Sequence, residues 1–410
     1  MGALAREQLA IDGGTPLRRE PFPAWPVWDE REERALLRAL HSGKWGIGSE
    51  IITEFEQAFA AMQDAKQCVS VPSGTTALVT ALRGAGITYG DEVITTPYTF
   101  IATVSATLYV GAIPVFADID PDTYQIDVRT VEPLITERTR AIIPAHIGGG
   151  PADMDAVLAL ARKHNLLVIE DCAQAHLAAW RGRRVGALGD LGAFSFQASK
   201  NIPAGEGGAV VGDNERLMDQ VWSYRNVGRV RQGAWYQHEV LGTNARMSAW
   251  QAAILLAQMT RAEEQLALRE KNAAILDERL AGIPGIRPLR RDERVTHHAY
   301  HLYIFRYDKA AFGGHSRAEF LRALNAEGIP ASDGYVPLYH KDSVMESSLY
   351  LGKLTATPVA SRAENAERCP VAERVCREED CWLTQNLLLG SDDDTASIAE
   401  AIAKVQRAWG

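Results

Sequence analysis

Between residues 67 and 212 the chain alternates short apolar, β-prone runs with stretches whose apolar positions recur at helical spacing. The runs are 67–71, 92–96, 113–118, 141–146, 166–170, 192–197 and 208–211. Several are bounded by Gly, Pro or Asp, and helical stretches separate many of them. This alternation predicts an α/β layer around a largely parallel, seven-stranded sheet covered on both faces. One helix is particularly clear: after Ser73-Gly74-Thr75, residues Ala77, Leu78, Ala81, Leu82 and Ala85 share a face, and Gly86 ends the run.

Residues 248–277 read as one long helix with room for a single break, running from the α/β region toward a second one. Beyond it the pattern predicts a strand over 299–305, a helix over 316–327 and a last helix over 394–409. Asp392, Asp393 and Asp394 stand where that helix begins, which suits the positive end of its dipole. The division expected is an extended arm over 1–25, a large α/β domain over 26–260 and a smaller α+β domain over 261–410. Neither an internal repeat nor a low-complexity segment is present.

The chain has 410 residues, 46% of them hydrophobic, enough for two cores. Its net charge of −9 is well mixed, without a basic block, which argues against nucleic acid or an anionic membrane as the main partner. No uninterrupted run of about 18 apolar residues suggests a membrane span. The first residues lack the apolar core of a signal peptide. Five sparse cysteines (Cys68, Cys172, Cys369, Cys376, Cys381) fit a reducing cytoplasm better than a disulfide framework, and the last three lack zinc-site spacing.

Ligands of open α/β sheets bind at the carboxyl ends of strands, and chemistry-bearing residues fall there. Ser73-Gly74-Thr75-Thr76 lies between a strand and a helix, where backbone N–H groups and hydroxyls can hold a phosphate; a plain turn is the alternative. Asp171 directly follows an apolar strand and can pair with a protonated ring nitrogen, or simply cap a helix. Lys200 follows the strand that carries Ser195, in FSFQASKNIPAGEGG; a lysine held in a partly desolvated site can form a Schiff base. Taken jointly these are parts that pyridoxal 5′-phosphate (PLP) chemistry requires.

The stretches PSGTTAL, DEVITTPYTFIAT, PVFADIDPDTY, VIEDCAQAH, GALGDLGAFSFQASKNIPAGEGGAVV and GTNARMSAWQAAILLAQM run in the order found in the DegT/DnrJ/EryC1/StrS family of sugar and cyclitol aminotransferases, which this sequence resembles. The resemblance implies the type I, aspartate-aminotransferase-like PLP fold, with Lys200 carrying the cofactor and moving the proton. It implies that Asp171 binds the pyridine nitrogen, Gln174 approaches the ring hydroxyl and Phe100 stacks on the ring. Gly74, Thr75, Thr76 and Ser195 would bind the phosphate. Asn244 would reach a neighbouring subunit's phosphate, so a homodimer with shared sites is expected. The expected reaction is a ping-pong transfer from L-glutamine or L-glutamate to a keto-sugar or keto-cyclitol. REKNAAILDERL, the glycines near 313 and YVPLYHK are similar to the glutamine:scyllo-inosose aminotransferases and aminohydroxybenzoate synthases of that family, favouring a cyclitol or free-sugar ketone. Arg229, in a segment that can bind the donor's carboxylate or simply carry a solvated surface arginine, and Tyr335 and His340 are the candidate substrate contacts.

The chain departs from the family pattern at His176-Leu177, at Ala245 within Asn244-Ala245-Arg246-Met247, and at Trp382-Leu383-Thr384-Gln385-Asn386, each a place where the fit of a ketone can change. His297, His298 and His301 form an HHxxH cluster, but no carboxylate or cysteine completes a metal set, so no metal is expected. Two rivals remain. A PLP-dependent dehydratase of the same fold would carry a histidine at the lysine position; a non-catalytic PLP-binding regulator or scaffold would not need the lysine–aspartate pair.

Overall fold

The computed structural model describes residues 8–410. All seven expected runs are strands of one sheet: β1 (Gln67–Val71), β2 (Glu92–Thr95), β3 (Ile113–Phe116), β4 (Thr139–Ile142), β5 (Leu167–Asp171), β6 (Leu191–Ser195) and β7 (Gly208–Gly212). Their order is β1-β7-β6-β5-β4-β2-β3. β7 pairs antiparallel with both neighbours, and the remaining pairs are parallel. β2, β6 and β7 are buried at every position, which is why they read as unbroken apolar runs rather than alternating ones. One face packs on Phe55, Phe59 and Phe196, the other on Leu78, Leu82 and Val221.

β4 ends earlier than expected. Pro144 has no N–H to continue the ladder, although Ile143 still donates to the Ile94 carbonyl at 2.8 Å. Helix α1 (Gly74–Gly84) is capped by Ser73, whose hydroxyl accepts from the Thr76 N–H, and α2 (Ile101–Tyr109) begins just after Phe100. The long helix is two, α3 (Ala249–Met259) and α4 (Ala262–Leu280). At the break the Thr260 hydroxyl bonds back to the Ala257 carbonyl, and the Arg261 guanidinium is held by Glu32 at 2.7 Å.

A second, three-stranded antiparallel sheet has the order β8 (Ile286–Pro288), β9 (Leu302–Tyr307), β10 (Asp380–Thr384). β9 starts later than the apolar run suggested because Tyr300 takes a left-handed φ of 46°, which no strand residue adopts. Helix α5 (Arg317–Ala326) opens on a capping box between Ser316 and Glu319, and α6 (Asp392–Trp409) on one between Ser391 and Asp394. Their buried faces share a core with β9 and α4. The arm packs on this region: Leu9 is buried in its core, and the Ala10 and Leu17 N–H groups donate to Glu327. Among the described residues no helix is long and apolar enough to cross a membrane.

Candidate active site

Six of the seven sheet strands run the same way, so their carboxyl ends share one edge. A cavity of about 600 Å³ opens there, lined by residues that include Gly74, Thr75, Phe100, Asp171, Gln174, Ser195, Lys200 and Tyr335. Alternation along β5 aims Ile169 and Asp171 at the face covered by α1 and α2, and sends Glu170 to the other side.

Asp171 is buried and held rather than loose. Its Oδ2 accepts from the Thr103 hydroxyl at 2.7 Å and its Oδ1 from the Ala173 N–H at 3.1 Å. Lys200 lies in the turn after β6, and its N–H donates to the Gln197 carbonyl at 2.8 Å. Burial lowers its ammonium pKa from 10.5 to about 8, against the opposing pull of the Asp171 charge. Gln174 is anchored at both ends of its amide: Oε1 accepts from the Gly148 N–H at 2.7 Å and Nε2 donates to the Tyr335 hydroxyl at 2.8 Å. Phe100 is 57% exposed and lines the mouth of the cavity.

The amino end of α1 faces Ser195 so closely that a Cβ on Gly74 would stand 2.5 Å from the Ser195 Cβ. Glycine is required there for the strand and helix to approach. Thr76 does not line the cavity: its N–H and its hydroxyl both bond the Ser73 hydroxyl, at 3.2 and 2.9 Å.

Three other candidates also lie outside the cavity within one chain. His340 is exposed and bonded through Nε2 to Glu373 at 2.5 Å. Arg229 and Asn244 sit on one loop, where residues 226 and 244 form a bridge and Arg229 lies over the ring of exposed Trp235. The HHxxH cluster disperses. His297 bonds Glu270, His298 stacks on Tyr300 at 3.9 Å, and His301 alone lines the cavity. His301 Nδ1 donates to the Asn201 side-chain oxygen at 3.1 Å, and burial lowers its pKa.

Several residues here were not predicted. Thr103 carries no signal beyond its place on an apolar helix. His146, Glu170 and Cys172 bring ligand atoms close enough for a metal, yet the first two are already satisfied. The Ala152 N–H donates to His146 Nδ1 at 3.0 Å, so Nε2 carries the proton that meets Glu170 Oε2 at 3.0 Å. The other oxygen of Glu170 accepts from the Leu188 and Gly189 N–H groups.

Residues 26–398 match the DegT/DnrJ/EryC1/StrS aminotransferase family. A protein of Streptoalloteichus tenebrarius, provisionally named an L-glutamine:3-amino-2,3-dideoxy-scyllo-inosose aminotransferase, is 39% identical over 98% of both chains. The L-glutamine:2-deoxy-scyllo-inosose aminotransferase of the same organism is 37% identical over 98% of both. Among solved structures, 3-amino-5-hydroxybenzoic acid synthase superposes with a TM-score of 0.87 at 33% identity, covering 95% of this chain and 99% of that one. DesV of S. venezuelae, solved with a ketimine intermediate, gives 0.80 at 33% identity, with 94% and 99% covered. The chain has the fold of these PLP-dependent aminotransferases, and it belongs to the DegT/DnrJ/EryC1/StrS aminotransferase family.

Proposed function

We propose that this aminotransferase holds pyridoxal 5′-phosphate on Lys200 and carries an amino group from L-glutamine or L-glutamate to a ketone on a cyclitol or free sugar. One observation carries the reading: an amine made readily deprotonated by burial shares a cavity with a carboxylate fixed by two hydrogen bonds. The residues fit the group, since Gly74 lets the amino end of α1 come up against Ser195, and Gly74, Thr75 and Ser195 together line the cavity. When bound, PLP supplies an aldehyde that takes up the amino group and an electron sink for the bond-breaking step.

The chain's residues do the rest. Lys200 Nζ binds the cofactor and, once released, carries the proton between the two carbon positions. The Asp171 carboxylate keeps the ring nitrogen protonated. Gly74, Thr75 and Ser195 with the amino end of α1 receive the phosphate, Phe100 covers the ring, and Gln174 is held at the ring hydroxyl. The acceptor class rests on the names of the relatives that act on deoxy-scyllo-inososes.

Asn244 and Arg229 complete the site from a second copy in a homodimer. The loop that bears them also exposes Trp235, Tyr236 and Leu241, an apolar surface that a second subunit would cover. The five buried free cysteines suit a cytoplasmic location. We place the division between large and small domains at 260/261, where α3 gives way to α4, and assign 1–25 to an arm. Borohydride trapping and peptide mapping should put the pyridoxyl mass on Lys200, and mass spectrometry should find an aminated cyclitol with L-glutamine as donor. A pyridoxyl mass on Lys66 or Lys163, or a cofactor-loaded protein that aminates no ketone, refutes the proposal.

A further inference from the structure

One part of the wall of the cavity that holds Lys200 is aromatic. Tyr335 and Trp382 meet edge to face there, ring centroids 4.7 Å apart at 80°. Trp382 sits on β10 and exchanges two backbone hydrogen bonds with Ser332, at 2.8 and 3.1 Å, so the loop carrying Tyr335 is tied to the strand. Gly334, the residue before Tyr335, lies flat against Trp382 and Asp380. A Cβ on it would stand 2.7 Å from the Trp382 ring and 1.7 Å from the Asp380 carboxylate.

The indole N–H of Trp382 is turned away from the ligand space and donates to the Tyr98 hydroxyl at 3.1 Å. Tyr98, fully buried, donates its own hydroxyl hydrogen bond to Asp380 Oδ2 at 3.0 Å. Asp380 is in turn gripped by the Arg317 guanidinium. Tyr98 follows β2 of the large sheet, whereas Asp380 and Trp382 belong to the small one, so this bridge sets the depth of the wall relative to Lys200. With its only polar group engaged, Trp382 offers the cavity aromatic surface and nothing else. Tyr335 accepts from Gln174 and keeps its own proton free to donate. Burial pushes its pKa up, so it remains a phenol.

We propose that Trp382 and Tyr335 are the acceptor-selecting wall: an aromatic corner that takes the C–H face of a polyhydroxylated carbocyclic ketone, with Tyr335 donating to one of its hydroxyl oxygens and Tyr98 positioning the corner. The inference rests on the aminotransferase reading and adds the residues that choose the acceptor. A carbocycle with equatorial hydroxyls presents a broad C–H face that fits such a surface. A linear amino-acid donor has no such face, so the two half-reactions should respond differently.

The test uses the cofactor-loaded enzyme and follows each half-reaction separately by cofactor absorbance, with L-glutamine as donor and 2-deoxy-scyllo-inosose as acceptor probe. Trp382→Leu should raise the half-saturating acceptor concentration roughly three- to tenfold, the range expected for loss of one aromatic contact, and disturb the donor half-reaction far less. Trp382→Phe, which restores an aromatic face, should recover most of that loss. Tyr98→Phe keeps the ring and removes both hydrogen bonds; it should raise the same constant about threefold without a matching fall in limiting rate, and it carries the test if Trp382→Leu does not fold. Equal losses in both half-reactions, an unchanged acceptor constant, or saturation by a nucleotide-linked keto-sugar in place of the carbocycle overturns the wall while leaving the aminotransferase reading intact. A wild-type enzyme that accepts no amino group from any donor overturns both.

Discussion

Lys200 should titrate apart from every surface lysine, and Asp171 should set how far apart. With an ordinary pKa of 10.5, about 0.1% of the amine is neutral at pH 7.5; at the value of about 8 that burial produces, roughly a quarter is. The reactive fraction thus rises on the order of two hundredfold before any cofactor binds. The Asp171 charge works against this shift, so Asp171→Asn should lower the pKa further and not raise it. The assay is brief reductive methylation of cofactor-stripped protein across pH 6 to 11, with quantitative mass spectrometry of the Lys200 peptide and of Lys66 and Lys163 as internal references. The same shift has a thermodynamic face. Because the folded pKa is depressed, the charged amine destabilises the cofactor-free fold below pH 8, and the penalty fades as pH climbs from about 8 to 10.5. Lys200→Met should therefore unfold at the higher temperature at pH 7 and converge with wild type above 10.5. A Lys200 that methylates with the reference lysines, or a midpoint that moves up in Asp171→Asn, refutes the electrostatic argument.

Thr103→Val removes the hydroxyl that meets Asp171 Oδ2 and should destabilise the fold by about 1–3 kcal/mol, as a buried acceptor left unpaired does; a denaturant melt measures it. Gly74→Ala drives a methyl into Ser195 and should cost about 1–3 kcal/mol through overpacking, with faster loss of PLP on dialysis. Glu170→Gln sets an amide N–H₂ among N–H donors from Leu188, Gly189 and His146; thermal unfolding should show a loss on the order of 1–3 kcal/mol. Mixing Lys200→Ala with Asn244→Ala subunits should yield hybrids more active than either parent, with activity tracking the fraction of hybrid; exchange without recovery removes Asn244 from the neighbouring site.

How much of this was legible depended on whether the determinant is local. The seven strands were readable because burial on both faces leaves apolar runs, and the amino end of α1 because Ser73 and Gly74 are neighbours in sequence. Lys200 and Asp171 lie within motifs whose flanks shape them. Thr103, by contrast, meets Asp171 across 68 positions, and Trp382 reaches Tyr98 across 284; no spacing announces either. The start of β9 was misplaced because a left-handed Tyr300 is set by its packing against His298 and not by any glycine. The histidine cluster shows the converse, since adjacency in sequence became dispersal in space.

The charge balance of the cavity is the physical argument for the proposed homodimer. Among the described residues that line it, Lys200 is the sole Lys or Arg, and two carboxylates, Asp171 and Glu206, stand with it. His301 is held neutral by burial and by the charge of Lys200. Glu170 does not enter the sum, since it faces away and two backbone N–H groups with His146 answer its charge. A phosphate dianion therefore enters a space already short of positive charge, met by the amino end of α1, whose Thr76 N–H is turned to Ser73. A helix terminus offsets about half a unit of charge, and the donor's carboxylate adds a second anion. In the proposed homodimer both would be met by cationic or amide donors from beyond the cavity wall. Arg229 and Asn244, carried on an exposed apolar loop outside their own cavity, have the chemistry that is missing, and a two-fold arrangement would supply it to both sites at once.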